Sequence, residues 1–400
     1  MGKESQTTAM RYQGLPDKNA SKNFVKSIAK KPVCFEPRKV DKSLILYGAG
    51  DLGKMAREYF ERLDIPFLFV VDMNPDLHRK DSFWEGIDIY SLQEVPIDLR
   101  KDTMLAICVA TAPFSQVIKP LMEQGWKDVV PFYDIAEAYR DRHPLSNGWY
   151  SGKLSQEDIC VIESVLTRWD DDLSRAHHLQ FLAWRCLREE WLFDDAPVIT
   201  NNRYFIPEVL SALHDKEVFV DIGAHYGDVI IRFLDAVKNK YKGLYAIEPD
   251  SDSFDKLCLR IKDCMSIDKE KLILLQYALG NIENEKRFYQ GIGYASQFSK
   301  FGQTKLDVKR LDDLCIPATF IKLHVEGWEW DVIDGGMETI LSHRPILAVT
   351  SYHNRDGLWK LPKGIMNCVD AYNYTYFFRL HSWYGTGSVI YAIPTERLPK

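Results

Sequence analysis

The stretch VFVDIGAHYG, residues 218–227, decides the fold class of the carboxy-terminal half of the chain. It begins with apolar residues typical of a buried strand, reaches Asp221 at the strand end, and continues into a glycine-rich turn. A second strand of the same kind, LYAIEP at 244–249, ends on the acidic residue Glu248. Strands and helices that alternate in this way predict a doubly wound α/β sheet, whose ligands bind at the carboxyl ends of the strands.

The two acidic residues at the strand ends indicate which ligand this sheet would take. A carboxylate at the position of Glu248 can accept hydrogen bonds from both hydroxyl groups of a ribose. Asp221 would repel a phosphate, but it suits a cationic ligand that carries an α-ammonium group. Together they favour S-adenosylmethionine over a dinucleotide. The structural alternative is that both are solvated loop acids with no ligand.

The segment TFIKLHVEG, residues 319–327, predicts a central strand with three ionisable residues on one face: Lys322, His324 and Glu326. Burying an unpaired ion costs several kcal/mol, so these residues must be paired or must line a cleft. His324 is the first candidate for a general base, held by Glu326, and His353 is the second. The alternatives are a structural Lys–Glu ion pair with a satisfied histidine, and a metal held by the two histidines and Glu326, which no spacing requires.

An earlier α/β unit begins with the strand SLILY at 43–47 and the glycine turn GAGDLG at 48–53. An acidic residue ends the next strand, as in dinucleotide-binding folds, so this turn predicts a second nucleotide site for NAD or a nucleotide sugar. The unit spans about 100 residues and lacks the second half of a complete dinucleotide fold, so a packed turn without a ligand is the alternative. The residues of this second site are Gly48, Gly50, Gly53 and Asp72.

The domain organisation follows from these two units. Residues 155–192 contain no glycine or proline and repeat apolar residues at helical spacing, which predicts a helical connector. We therefore expect two doubly wound, Rossmann-like α/β domains joined by that connector. The predicted segments are a polar tail at 1–40 with one short helix, the first α/β unit at 41–145, the connector at 146–205 and the second α/β unit at 206–400.

Composition excludes several classes of protein. The net charge is −6, with 57 acidic and 51 basic residues, which argues against a nucleic-acid binder. No apolar run reaches the roughly 18 residues of a membrane span, and the polar start lacks the apolar core of a signal peptide. The eight cysteines form no CxxC motif, so neither a zinc knuckle nor a disulfide framework is indicated. We expect a cytoplasmic protein.

Residues 215–355 resemble the FkbM family of S-adenosylmethionine-dependent methyltransferases. The resemblance rests on FVDIGAHYGD, YAIEPD, YALGN, VKRLDDL, FIKLHVEGWEWDVIDGG and RPILAVTSYH. It implies a class I methyltransferase fold with a seven-stranded sheet and methylation of a hydroxyl oxygen. It also implies that the amino-terminal unit is an accessory domain. This chain has His324 where the family usually has aspartate.

The resemblance further implies a set of cofactor-binding residues. The glycine turn would hold the methionine end of S-adenosylmethionine, the acidic strand end its ribose, and the turn around Tyr277 its adenine. The implied residues are Asp221, Gly223, Ala224, His225, Gly227, Glu248, Pro249, Tyr277 and Ala278.

The sequence therefore predicts an S-adenosylmethionine-dependent methyltransferase, acting on a hydroxyl of a sugar or another small metabolite. One alternative is an NAD-dependent oxidoreductase or epimerase, or a nucleotide-sugar-binding protein, that uses the amino-terminal turn. Another is a non-catalytic sensor. A small hydroxylated acceptor is the expected partner, with no nucleic acid and no membrane, and positions 294–299 are candidates for its pocket.

Overall fold

Two separate sheets with parallel cores dominate the computed structural model, which describes residues 9–142, 145, 148–264, 267–291 and 295–399. The amino-terminal half contains β1 (Ala9–Tyr12), α1 (Lys18–Lys30), β2 (Leu44–Tyr47), α2 (Asp51–Arg62), β3 (Phe67–Val71), α3 (Pro75–His78), β4 (Ile89–Tyr90), α4 (Ile97–Asp102), β5 (Met104–Ile107), α5 (Phe114–Glu123), β6 (Asp128–Pro131) and α6 (Phe132–Ala138). The connector contains α7 (Gln156–Arg168), α8 (Asp172–Leu187) and β7 (Glu190–Phe193), and α9 (Pro207–Ala212) follows at the start of the second unit. The carboxy-terminal half contains β8 (Val218–Ile222), α10 (Asp228–Ala236), β9 (Gly243–Ile247), α11 (Ser251–Asp263), β10 (Leu272–Leu275), β11 (Ala278–Leu279), β12 (Asn284–Tyr289), β13 (Gln297–Phe298), β14 (Thr304–Lys309), β15 (Phe320–Leu323), α12 (Glu329–Asp334), α13 (Met337–His343), β16 (Ile346–Thr350), α14 (Lys360–Val369), β17 (Tyr374–Leu380) and β18 (Ser388–Pro394).

The first sheet is parallel throughout, with the strand order β4-β3-β2-β5-β6. Its central strands β2 and β5 read LILY and MLAI and are buried along their whole length. Apolar side chains on both faces are what a sheet covered by helices on two sides requires. The predicted Rossmann-like first unit is confirmed.

The second sheet has seven strands in the order β10-β9-β8-β15-β16-β18-β17. Its first five strands are parallel, and the last two form an antiparallel hairpin in which β18 lies between β16 and β17. The order reverses next to β8, so the carboxyl ends of β8 and β15 flank the crevice in which open α/β sheets bind ligands. The predicted seven-stranded, methyltransferase-like sheet is confirmed.

The first 40 residues do not form a simple polar tail. β1 pairs in parallel with β7, and Val25 and Ile28 of α1 are buried in the core that includes α7 and α8. The predicted short helix, expected near Ser21–Lys30, is present as α1. It begins at Lys18, three residues earlier than expected, and Asp17 caps it. Because the partner of β1 lies about 180 residues away in the chain, local sequence gives no sign of this pairing. Residues 1–8 lie outside the described residues, and so does Pro144, near which the first unit was predicted to end. The domain boundaries stay a prediction.

Two local predictions for the second unit were wrong. The apolar pattern of residues 329–341 predicts one helix, but the structure has two helices there, α12 and α13, separated by Gly335 and Gly336. A Cβ atom at Gly335 would lie 1.9 Å from the Gly280 carbonyl oxygen, so this close packing requires glycine where the helix breaks. The strand of TFIKLHVEG ends at Leu323, so His324 and Glu326 belong to the loop that follows β15.

A small four-stranded sheet with the order β11-β14-β12-β13 is inserted between β10 and β15. From the sequence around 286–289, only a hairpin or an insertion is predicted there. Ala295, which lies just before β13, packs into the core of the first α/β unit. The insertion therefore links the two units above the carboxyl edge of the second sheet.

All eight cysteines are free thiols. Among the described residues, none of the helices combines the length and the apolar character that crossing a bilayer requires.

Candidate active site

A cavity opens at the carboxyl ends of β8, β9 and β15, and it contains about 680 Å³ of empty space, counted together with its opening to solvent. Eight residues proposed from the sequence line it: Gly223, His225, Glu248, Pro249, Tyr277, Ala278, His324 and Glu326. Eight further residues line the cavity and were not among the proposed site residues: Ile222, Ile247, Leu279, Phe288, Ser296, Phe298, Val325 and Trp328. Two of them, Ser296 and Phe298, belong to the segment 294–299 that was expected to line the acceptor pocket. Tyr294 of that segment lies outside the described residues.

The glycine turn after β8 packs directly against the loop after β15. Gly223 has a φ of +75°, and a Cβ atom there would lie 1.9 Å from the carbonyl oxygen of His324. The N–H groups of Gly223 and Ala224 donate to the carbonyl oxygen of Ile247, which fixes the turn on β9. Any side chain at 223 would push apart the two loops that form the cavity, so glycine is required there.

Glu248 is fixed by backbone donors in the cavity wall. Its Oε2 accepts from the N–H of His225 at 2.7 Å, and its Oε1 accepts from the N–H of Asp250 at 2.9 Å. Burial raises the pKa of the carboxyl group to about 7, although these two hydrogen bonds favour the charged form. Each oxygen keeps a second lone pair, so Glu248 can still accept hydrogen bonds from a ribose.

Asp221 lies beneath the cavity and is not part of its lining. Its side chain is fully buried, and its Oδ1 lies 2.7 Å from Nζ of Lys322, which stands opposite it in the register of β8 and β15. Lys322 also donates to the carbonyl oxygen of Gly223 at 2.6 Å. The expected direct contact between Asp221 and an α-ammonium group is therefore replaced by a buried ion pair that supports the turn. Lys322 turns towards Asp221 and does not pair with Glu326, contrary to the structural alternative.

Ala224 and Gly227 also lie outside the lining. Ala224 is buried behind the turn, and Gly227, with a φ of +84°, begins α10. Both residues belong to the glycine turn but lie on its side away from the cavity.

His324 and Glu326 face each other in the cavity wall. Nε2 of His324 lies 2.9 Å from Oε1 of Glu326, and its Nδ1 lies 2.9 Å from the hydroxyl of Tyr204. Glu326 has a left-handed backbone with a φ of +53°, an uncommon conformation for a side chain of this size. Burial and then the charge of Arg203 lower the pKa of His324 well below its ordinary value, so the ring is neutral.

His353, at the end of the segment after β16, completes a row of alternating histidines and carboxylates. Its Nε2 lies 3.2 Å from Oε1 of Glu326, and its Nδ1 lies 2.7 Å from Oε1 of Glu329. Burial opposes the charged ring, but the two carboxylates raise the pKa of His353 well above its ordinary value. Burial likewise opposes the charge of Glu326, but the two histidines lower its pKa to about 2. The two imidazole rings stack with centroids 5.0 Å apart.

Three residues that surround His324 were missed by sequence reasoning: Arg203, Tyr204 and Tyr352. The Tyr352 hydroxyl lies 3.1 Å from Nε2 of His324 and accepts a hydrogen bond from Arg203 at 2.9 Å. Arg203 and Tyr204 lie between the connector and the second sheet, outside any recognised motif, so only the folded chain brings them to the site.

An open cleft with about 1830 Å³ of empty space, counted together with its opening to solvent, adjoins the cavity and shares Phe298 and Trp328 with it. One wall consists of residues after α6 of the first unit, such as Arg140, and the other consists of the small inserted sheet. The Trp328 ring packs edge-on against Phe298, with centroids 4.6 Å apart, and Nζ of Lys286 lies 3.7 Å from its centre. Aromatic and charged groups thus stand side by side where an acceptor would enter.

The glycine turn of the first unit is explained by packing. A Cβ atom would lie 2.9 Å from the Cys108 carbonyl oxygen at Gly48, and 2.0 Å from the Gly48 carbonyl oxygen at Gly53. Asp72 accepts from the N–H groups of Ala49 and Asn74, both at 2.8 Å. Gly50 alone has open space around its Cα atom. The turn therefore has structural reasons for its sequence, and a nucleotide ligand there stays a prediction.

Comparisons with known proteins find a family model and solved structures that are similar to this chain. Residues 221–376 match the family model described as the methyltransferase FkbM domain. The crystal structure of methyltransferase FkbM from Methylobacillus flagellatus KT aligns with a TM-score of 0.60 and 17% identity, over 94% of this chain and 99% of that chain. Precorrin-6y C5,15-methyltransferase from Geobacter metallireducens GS-15 aligns with a TM-score of 0.28 and 14% identity, over 46% of this chain and 82% of that chain. TYW2 from M. jannaschii, in complex with AdoMet, aligns with a TM-score of 0.27 and 14% identity, over 46% and 72%. No curated protein matches the sequence.

The fold is that of Rossmann-like methyltransferases. More specifically, residues 221–376 match the methyltransferase FkbM domain, in agreement with the resemblance of residues 215–355. The comparisons do not support the alternatives of an NAD-dependent oxidoreductase, an epimerase or a nucleotide-sugar-binding protein.

Proposed function

We propose that this protein methylates a hydroxyl oxygen of a small polyhydroxylated metabolite, such as a sugar, with S-adenosylmethionine as donor. One observation carries the proposal: Glu248 and the pair His324–Glu326 line the same cavity. A carboxylate suited to a ribose and an imidazole suited to a hydroxyl proton are thereby brought into one space.

The residues of the cavity fit the donor. Gly223 leaves room where a side chain would fill the turn, and Glu248 offers two oxygens fixed by backbone donors. S-adenosylmethionine, when bound, supplies a methyl group that its sulfonium already activates. The chain must then orient the acceptor, exclude water and remove the acceptor's proton.

His324 is placed to take up that proton. The ring is neutral because burial lowers its pKa, so it can act as a base at neutral pH. In the neutral ring, Nε2 donates to Glu326 and Nδ1 accepts from the Tyr204 hydroxyl, both 2.9 Å away. The acceptor's proton would therefore pass to the Tyr204 oxygen while the Tyr204 hydroxyl proton passes to Nδ1, and the imidazolium formed would donate to both partners. A carboxylate that accepts from the ring stabilises this charge in a buried site.

The adjoining cleft supports a polyhydroxylated acceptor. Trp328 and Phe298 provide flat apolar surfaces, and Arg140 and Lys286 provide hydrogen-bond donors around them. Sites for small molecules combine an apolar lining with a few polar groups that fix orientation.

Calorimetry with S-adenosylhomocysteine and turnover assays over a panel of sugars test the proposal. We expect Glu248→Ala to weaken binding of S-adenosylhomocysteine, because the ribose acceptor is lost. We expect His324→Ala to preserve that binding and to reduce turnover by about 10²- to 10⁴-fold, the usual contribution of a general base. Asp72→Ala, in the first unit, is the control and should leave both unchanged. The proposal fails if wild-type protein does not bind S-adenosylhomocysteine, or if His324→Ala turns over at the wild-type rate.

A further inference from the structure

The row formed by His324, Glu326 and His353 has the geometry of a metal site. One oxygen, Oε1 of Glu326, lies 2.9 Å from Nε2 of His324 and 3.2 Å from Nε2 of His353. The three side chains offer ligand atoms that all lie within 4.8 Å of one another. Two ligands that each lie about 2.1 Å from one cation, at tetrahedral or octahedral angles, are roughly 3.0–3.4 Å apart. The observed spacings suit one shared cation.

In each of the two histidine rings, the nitrogen that does not face Glu326 already has an oxygen partner. This supports a metal site that uses the two Nε2 atoms. Nδ1 of His353 lies 2.7 Å from Oε1 of Glu329, and that oxygen also accepts from the Thr350 hydroxyl at 3.0 Å. Nδ1 of His324 lies 2.9 Å from the Tyr204 hydroxyl. Metal-binding histidines generally use one nitrogen for the metal and the other for a carboxylate or another oxygen partner, which fixes the ring. Both histidines here have such a partner, and both direct Nε2 to the same carboxylate oxygen.

The position in the molecule leaves room for further ligands. His353 is fully buried, whereas His324 and Glu326 reach the cavity in which the acceptor would lie. Two histidines and one carboxylate with open positions form the ligand set of many catalytic metal sites, zinc sites among them.

We propose that Nε2 of His324, Oε1 of Glu326 and Nε2 of His353 bind a divalent first-row transition metal such as Zn²⁺, with at least one position open to the cavity. The inference deepens the proposed function and rests on it for its chemical meaning. A hydroxyl oxygen bound at the open position would lose its proton to solvent more readily, as metal-bound water does. His324 would then be a ligand, and turnover would depend on the metal, which a purely organic base does not require.

Titration calorimetry of chelator-treated, desalted protein with Zn²⁺ alone tests the site without any acceptor. We expect one tightly bound Zn²⁺ per chain. Glu326→Gln and His353→Gln should each weaken this binding by more than 100-fold, since each loses a ligand. Tyr204→Phe, which removes only the outer partner of His324, should weaken it by about 10-fold. His343→Ala is the control, because this exposed histidine lies outside the cluster.

Three results would overturn the inference: no stoichiometric Zn²⁺ binding by the wild type, unchanged affinity in Glu326→Gln and His353→Gln, or an equal loss in His343→Ala. Circular dichroism of each variant shows whether it is folded. If Glu326→Gln and His353→Gln are unfolded, the Zn²⁺ affinity of Tyr204→Phe tests the inference instead. An affinity equal to that of the wild type would contradict it. Binding of S-adenosylhomocysteine, measured on the same samples, separates the two proposals. Donor binding without Zn²⁺ binding overturns only the metal site, and Zn²⁺ binding without donor binding overturns only the proposed methyl transfer.

Discussion

At the scale of single residues, the buried ion pair of Asp221 and Lys322 supports the glycine turn beneath the cavity. Asp221 lies at the carboxyl edge of the sheet, as expected for the acid at the end of β8. The direction of its side chain depends on Lys322, which β15 brings opposite to it from about 100 residues further along the chain. The sequence did not predict this pair, because cross-strand register is not visible locally.

The buried pair of Asp221 and Lys322 gives the first residue-scale prediction. Lys322→Met leaves a buried carboxylate without its partner, and we expect it to lower the free energy of unfolding by about 3–5 kcal/mol. The double variant Asp221→Leu with Lys322→Met removes both charges and should recover most of this loss. Urea unfolding measures both effects.

An exposed cross-strand pair provides the matched control. Lys305 and Glu285 lie 2.8 Å apart on the small inserted sheet, with more than half of each side chain exposed. Lys305→Met should change stability little, because surface ion pairs contribute little. Equal losses in Lys305→Met and Lys322→Met would contradict the assigned role of the buried pair.

The pKa of Glu248 predicts how donor binding depends on pH. With a pKa of about 7 in the free protein, the carboxyl group is mostly protonated at pH 6 and mostly ionised at pH 8. Its ionised form accepts hydrogen bonds from a ribose, so affinity for S-adenosylhomocysteine should rise roughly tenfold over this interval. Calorimetry at several pH values measures the rise.

The neighbouring charges do not obscure this test. Asp250 and Lys322 face Glu248 from the same strand end and from β15. Burial opposes the charge of Asp250, but hydrogen bonds from Gly291 and Ser253 lower its pKa, so this carboxylate stays charged from pH 6 to pH 8. Burial and Lys322 hold the pKa of His225 at about 4, so this ring stays neutral. Glu248→Gln should abolish the pH dependence. If the variant keeps the wild-type slope, another group controls binding.

At the scale of elements, long regular segments were predicted well and their ends and partners were not. Most strands of both sheets, the helical character of the connector and the terminal hairpin follow from apolar patterns and turn residues, whereas the short strand β4 was not predicted. β1 and β7 were missed because their stability comes from pairing with each other. The break between α12 and α13 was missed because Gly335 is required by a distant carbonyl group, and not by the local helix pattern.

The helix α8 is the most deeply buried of the connector, and it carries the prediction for this scale. His178 is fully buried there, and its Nδ1 accepts from Nε1 of Trp169 at 3.0 Å. Burial lowers its pKa to about 3, so the folded protein holds the ring neutral while the unfolded chain can protonate it below about pH 6.5. The contribution of His178 to stability is therefore lost as the pH falls, by about 2 kcal/mol between pH 6.5 and pH 5.

The variant His178→Asn tests this contribution. Its amide oxygen can still accept from Trp169 but cannot titrate, so the fall in the free energy of unfolding between pH 6.5 and pH 5 should be smaller than in the wild type. His343→Ala, at an exposed position, should retain the wild-type pH dependence. Parallel curves for His178→Asn and the wild type in urea unfolding would count against the neutral buried ring.

At the scale of the whole molecule, the site depends on parts of the chain that the family match does not include. Residues 221–376 contain the glycine turn, Glu248 and the cluster of His324, Glu326 and His353. Arg203 and Tyr204 come from the connector side, and the cleft takes a wall from the first α/β unit. The sequence could identify the glycine turn, Glu248 and the histidine cluster because these residues lie in recognisable motifs. The places of Arg203, Tyr204 and the cleft wall depend on how the units pack, which no local pattern records.

That shared cleft has a consequence for how such an enzyme can diversify. Glu248 and His324 lie in the second α/β unit, whereas the side of the cleft around Arg140 belongs to the first. For the methyl transfer proposed above, changes around Arg140 would alter which compounds are admitted without touching Glu248 or His324. Part of the selectivity would then be encoded in a stretch of the gene separate from these residues, and that part could vary at its own pace.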